Sequence, residues 1–144
     1  MYDIVSIGSA TQDVVLSADG FKIVENADFN VGKGICLPFG SKVQIRKIVF
    51  TSGGGGTNAA VSFARQGFKT ACIGVIGSDP NGSAILDELR REGVDGKYFQ
   101  IHHDDITAYS VILVADAGER TILSYKGEGI HWDADVIPWE SLQT

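Results

Sequence analysis

The chain has 144 residues, 44% of them hydrophobic, with 12 Lys plus Arg against 18 Asp plus Glu. That length and composition allow one modest globular domain with a real core and exclude a disordered chain. The formal net charge of -6 argues against general nucleic-acid binding and against an anionic membrane surface, but not against a phosphate-bearing ligand at a locally positive site.

The N-terminal residues Met1-Tyr2-Asp3-Ile4-Val5-Ser6-Ile7-Gly8 carry an acid where a signal peptide would carry lysines, and their apolar run is too short for secretion. No apolar stretch of the sequence approaches the length needed to cross a bilayer. The expected compartment is the cytoplasm. Residues 4–7 read as a buried strand of a parallel sheet, ending at Gly8. Residues 13–17 form a second extended piece, and 21–38, with poor periodicity and recurrent glycines, read as loops and short strands. Residues 43–50 mix polar and apolar side chains as a half-exposed strand would. A helix is expected over 57–66 with Gly67 as its stop, then a buried strand over 70–77. Asp79-Pro80 supplies an N-cap and a first-turn proline for a second helix, apolar at Ala84, Ile85, Leu86 and Leu89 and ending at Gly93. A short strand over 98–101 follows. Residues 108–115 and 121–125 then flank the turn-rich Asp116-Ala117-Gly118-Glu119, a hairpin pattern. The expected fold is α/β: a Rossmann-like layer of mainly parallel strands and helices, with a small, largely antiparallel β-sheet over one end.

Neither cysteine belongs to a CxxC, and Cys72, inside an apolar run, is expected to be a buried thiol. His102, His103 and His131 lack metal-site spacing and read as surface residues, so no metal site is assigned.

The most informative stretch is Gly53-Gly54-Gly55-Gly56, which runs straight into Thr57-Asn58 and an alanine-rich helix. Glycine has the most backbone freedom to lose, so such a run belongs where positive φ or a close backbone approach is needed. A flexible linker is the bland alternative, but linkers rarely lead directly into an amphipathic helix. At a helix start, unpaired N–H groups and the positive dipole end would face whatever the glycines approach. No GxxxxGK[ST] is present, which removes a P-loop. Gly54-x-Gly56-x-x-Ala59 fits a dinucleotide fingerprint, with Asp79 at a plausible distance, but the strand before it carries Gln44, Arg46 and Lys47 instead of a buried run.

The glycine run with Asn58 and Ala60, then Ala64-Arg65-Gln66-Gly67, then Gly77-Ser78-Asp79-Pro80-Asn81-Gly82 and Glu92-Gly93-Val94-Asp95, resembles the N-terminal signature of the ribokinase-like (PfkB) carbohydrate kinases. The match extends to Gly8 followed by Asp13, and to Thr107 opening a strand before Gly118-Glu119-Arg120-Thr121. It runs in order over nearly the whole chain. The resemblance implies a sugar or nucleoside bound between the α/β layer and a lid sheet, whose strands would fall within 13–50 and 107–126. It implies substrate contacts from Asp13, Gly54, Gly55, Gly56 and Asn58. Asp13 would accept hydrogen bonds from two sugar hydroxyls, Asn58 would donate and accept, and the glycines would let the ring lie on backbone. Asp79 is open between an N-cap and a ligand contact, and Arg120 between a partner for lid acids and a contact to a substrate phosphate. ATP and Mg²⁺ are implied for a full-length parent, as is a homodimer through the lid; no nucleic-acid or membrane partner is implied.

The family's D-T-x-G-A-G-D stretch, which carries its catalytic aspartate and leads into its nucleotide site, is not found in these residues. Lys126-Gly127-Glu128-Gly129 also departs from the lid segment of many relatives. The expectation is therefore the N-terminal, sugar-binding part of a kinase, with no catalytic residue in this chain and no activity by itself. A stand-alone sugar-binding or scaffold module is the alternative.

Overall fold

In chain order the strands are β1 (Ile4–Ile7), β2 (Thr11–Ala18), β3 (Lys22–Glu25), β4 (Lys33–Cys36), β5 (Ile45–Gly53), β6 (Thr70–Ile73), β7 (Val75–Gly77), β8 (Val94–Asp95), β9 (Gln100–His102), β10 (Tyr109–Val114) and β11 (Arg120–Tyr125). The helices are α1 (Gly55–Arg65), α2 (Pro80–Arg91) and the short α3 (Trp139–Leu142). The computed structural model describes residues 1–116, 118–127 and 132–142. His131, the Glu128-Gly129 pair and Ala117 of the hairpin turn lie outside the described residues. The chain divides into two units, one built from Met1–Asp13, Thr51–Ser110 and the residues from Ser124 onward, the other from Val14–Phe50 and Val111–Leu123.

The first unit is of α/β type. Its sheet has the order β1-β6-β8 with both pairings parallel, Ile4 opposite Thr70 and Thr70 opposite Val94. All four residues of β6 are buried, as expected of a central parallel strand. Strand β1, also expected to be buried, is only partly so and leaves Ile7 exposed, because it is an outer strand of this sheet. Expected as one strand, residues 70–77 form two, because β7 leaves the first sheet and pairs with β9. The break falls at Gly74, where a methyl group would lie only 2.5 Å from the ring of Phe99. Phe99 thus fills the volume a side chain would need, and Gly74 O accepts the Gln100 N–H at 2.9 Å. Ala60 of α1 and Ile85 and Leu89 of α2 complete a core with Cys72, Ile76, Val94 and Phe99. Burial pushes the Cys72 thiol up to about 12, so it packs as a small apolar group.

Each long helix ends as its sequence dictates. Gly67, at φ +93, donates to Ala64 O, and Phe68 donates to Phe63 O. The Phe63 and Phe68 rings then meet edge to face at 6.1 Å, which is the apolar contact that accompanies such a stop. At the start of α2, Asp79 Oδ1 accepts the Gly82 N–H (2.8 Å) and the Thr107 hydroxyl (2.6 Å), and Oδ2 accepts the Thr107 N–H (3.1 Å). The buried Thr107 hydroxyl in turn accepts the Gly77 N–H at 3.0 Å. One carboxylate therefore ties the first turn of α2 to the entry of β10.

The second unit holds most of a sheet with the order β11-β10-β2-β5. The connection between β10 and β11 is too short for anything but an antiparallel pair, and Ala115 N donates to Glu119 O across it. Residues 21–38, unperiodic in sequence, form the antiparallel β3–β4 hairpin, Lys22 opposite Cys36. The Phe29 ring covers Gly34, whose missing side chain makes room for it. Arg46 donates to Asp19 (2.8 Å) and to Asp116 (2.5 Å). Cys36 is exposed.

Burial alone would raise the Asp79 pKa, but its bonds from Thr107 and Gly82 outweigh burial and hold it below the ordinary value. Its contribution to stability is therefore complete above the unfolded-state value and lost as pH falls through the lower folded value. Asp79→Ala should cost about 2–4 kcal/mol, the cap plus the unpaired Thr107 groups. It should also flatten the acid limb of a stability–pH profile from chemical denaturation. A limb unchanged from wild type would remove Asp79 from this role.

Candidate functional site

The glycine run lies between the end of β5 and the start of α1, and its glycines are not equivalent. Gly53 is buried, and the Asp13 carboxylate occupies the place where a Gly53 side chain would be. Gly54 sits at φ +101, and any methyl there would also collide with the Ser9 carbonyl. Gly56 faces Gly8 backbone to backbone: a methyl on Gly56 would lie 2.7 Å from Gly8 C, and one on Gly8 would lie 2.9 Å from Gly56 N. Gly55 differs from the other three. It is exposed, and a methyl there meets only Ser9 Oγ at 3.8 Å.

The helix-start amides are not free, contrary to the reading from sequence. Ser9 Oγ accepts the Gly55 N–H at 2.9 Å, and the Ser9 carbonyl accepts those of Gly56 (3.0 Å) and Thr57 (3.5 Å). The Asn58 N–H bonds to Gly54 O at 3.0 Å. The helix-start amides of residues 55–58, which a pyrophosphate would need, are thus satisfied within the chain. This removes the support for a dinucleotide fingerprint at Gly54-x-Gly56-x-x-Ala59. The glycines allow strand and helix backbones to touch, which is a demand of folding.

Three side chains that the sequence reading did not single out hold the approach to the run. Gln12, buried on β2, donates through Nε2 to Thr51 O at 3.0 Å. Glu88 of α2 accepts the Thr51 hydroxyl (3.0 Å) and the Ser52 N–H (2.6 Å). The Thr57 hydroxyl donates to Gly53 O at 2.6 Å. Gln12 and Glu88 act across long sequence separations, so no local pattern announces them, whereas Thr57 acts within one helical turn.

Asp13, on β2, is half-buried. Burial pushes its carboxyl up, and the Ser110 hydroxyl draws it part of the way back. Among the described residues no cation pairs with it. Asn58 stands exposed in the first turn of α1, and its side-chain amide bonds to no described residue. Asp13, Gly54, Gly55, Gly56 and Asn58 all belong to the first unit, with Asp13 directly against the run. Asp79 is in the same unit but has its carboxylate engaged by Gly82 and Thr107. Arg120 lies in the second unit, exposed at the start of β11. Among the described residues it makes no ion pair, and the nearby Asp116 bonds to Arg46 instead.

An unpaired carboxylate, an open amide and bare backbone can accept from and donate to hydroxyl groups. The carboxylate among them would repel a phosphate. Against this geometry, the pfkB family carbohydrate kinase pattern matches residues 1–143. The chain belongs to this family. The ribokinase of Haemophilus influenzae is 34% identical over 85 residues, covering 59% of this chain and 28% of the relative. The ribokinase of Bacillus subtilis is 30% identical over 129 residues, covering 88% and 38% respectively. The chain thus spans well under half the length of these curated relatives. Among solved structures, Arabidopsis thaliana ribokinase complexed with ribose and ATP superposes with a TM-score of 0.64 at 21% identity, covering 86% of this chain and 36% of that one. That likeness is one of fold, and the fold is ribokinase-like α/β. Among the described residues no helix is long and apolar enough to cross a membrane.

The unequal glycines give a sharp contrast. Gly54→Ala should lower stability by at least about 1–2 kcal/mol from the φ requirement alone, before the Ser9 collision is relieved. Gly55→Ala should be neutral or raise stability by about 0.4–1 kcal/mol through the unfolded chain. Thermal denaturation of both variants decides it, and equal losses would contradict the packing described.

Proposed function

We propose that this chain is the N-terminal, sugar-binding part of an ATP-dependent carbohydrate or nucleoside kinase, which transfers the γ-phosphoryl group of ATP to a substrate hydroxyl. Family membership supports the reaction class. The observation that carries the binding role is Asp13: a half-buried carboxylate with no cation partner among the described residues, pressed against a glycine run in which the Gly55 and Gly56 amides are already bonded. Such a group is left to accept hydrogen bonds from neutral donors, and vicinal hydroxyls supply two. Asn58 supplies the reciprocal donor and acceptor, and exposed Gly55 leaves open backbone beside them.

The helix start does not fit a phosphate, because Ser9 takes the amides of Gly55, Gly56 and Thr57 and Asp13 would repel one. No step of phosphoryl transfer is therefore assigned to these residues, and the proposal places no catalytic base in this chain. A homodimer through the β11-β10-β2-β5 sheet is part of the same reading. It is supported by exposed Ile48 and Phe50 on β5 and Ile122 and Leu123 on β11, the two outer strands.

Two outcomes are expected. Asp13→Ala in the whole gene product should weaken binding of its sugar by about 1.5–3 kcal/mol, one to two decades in affinity, with little change in melting temperature. Calorimetric titration with D-ribose and D-fructose reads this, and unchanged affinity would return Asp13 to an ordinary surface acid. The 144-residue chain should show no sugar-dependent ATP turnover, while the whole gene product does with Mg²⁺ and ATP. Turnover by the isolated chain would overturn the assignment.

A further inference from the structure

A run of glycines has no side chains with which to fix its own position, so that position must be imposed from outside. Three side chains from three elements do so, each on a successive residue of the entry: Gln12 on the Thr51 carbonyl, Glu88 on the Ser52 amide and Thr57 on the Gly53 carbonyl. Glu88 is the charged member. It stands between Ile85 and Leu89, both fully buried, so its carboxylate leaves α2 at the margin of the core. One oxygen takes the Thr51 hydroxyl and the other the Ser52 N–H, at 3.0 and 2.6 Å. No ion pair engages Glu88 among the described residues. Hydrogen bonds to an ionised acceptor are roughly twice as strong as neutral ones. Ser52 is bonded covalently to Gly53, the residue on which the Asp13 carboxylate rests.

We infer that Glu88 is a positioning residue for the sugar site, setting from α2 the place of the Thr51–Ser52 peptide, and through it of the adjoining Gly53 and the Asp13 carboxylate packed on it. This rests on the reading of Asp13 as a sugar-binding group. Glu88 need not touch the sugar. Its effect should appear in affinity and KM, while kcat follows groups elsewhere.

The test compares wild type with Asp13→Ala, Glu88→Gln, Glu88→Ala and Ile85→Val in the whole gene product. Titration with D-ribose and D-fructose, steady-state kinetics and amide hydrogen exchange are the readouts. Glu88→Gln should lower affinity for the bound sugar roughly tenfold, equivalent to about 1.4 kcal/mol, with KM raised and kcat within about twofold. Glu88→Ala should do at least as much, and in both variants exchange at Ser52 and Gly53 should quicken without sugar present. Ile85→Val, on the same helix, should lower the melting temperature and leave affinity unchanged. A folded Glu88→Gln protein with wild-type affinity, beside a weakened Asp13→Ala, overturns the role of Glu88 alone. Wild-type affinity in Asp13→Ala overturns the sugar-site reading itself. Equal weakening by Ile85→Val, or unchanged exchange at Ser52 in Glu88→Gln, reduces Glu88 to general support of the fold and overturns the inference.

Discussion

The approach of Gly8-Ser9 to Gly54–Gly56 is the constraint on which the first unit depends. Strand β1 ends and helix α1 begins at the same place, with no side chain between them. The Ser6 hydroxyl reaches across to Gly56 O at 2.8 Å, and Ser9 takes three amides of the opening turn. An alanine at Gly8 or Gly56 would push strand and helix apart. The helix would then lose Ser9 as its cap, and α1 would no longer deliver Ala60 to the core at the present depth.

The same contact sets the electrostatic character of the site. A bare helix start attracts anions through its free N–H groups and the dipole behind them. Here a serine from another element satisfies those groups, so the pull on an outside anion is weak. A half-buried carboxylate can then sit beside the run with its pKa raised instead of lowered. The occupied amides and the acid, which has no cation partner among the described residues, therefore form one arrangement.

Features carried by neighbours in sequence were legible. The position of strand β1, the last turn of α1, the Asp79-Pro80 start of α2 and the turn between β10 and β11 all follow from residues a few positions apart. Helix α1, by contrast, was expected from Thr57 and begins at Gly55, within the glycine run. The ordered motifs from Gly8 to Thr121 sufficed to recognise the family. What escaped depends on distant partners. The split of residues 70–77 needs Phe99 to lie over Gly74, and the β3–β4 hairpin needs Phe29 to fold over Gly34. At the candidate site, the glycine run meets the positive φ and the close backbone approach expected of it, at Gly54 and Gly56, but not the expected free amides. Its amides seemed offered to a ligand because nothing in the local sequence says that Ser9 will take them. Glu88 was equally silent, since a glutamate on a helix looks the same whether it faces solvent or a strand end.

The two thiols differ in a way that reaches beyond packing. Cys72 is wholly buried, with its pKa driven to about 12, so almost none of it is thiolate near neutrality. Cys36, at the end of β4, is open to solvent. A maleimide dye or a nitroxide should therefore attach once per chain, on the β3–β4 hairpin, without any cysteine being engineered away. The native chain thus carries its own spectroscopic handle on the second unit, while the sulfur in the core of the first stays untouched.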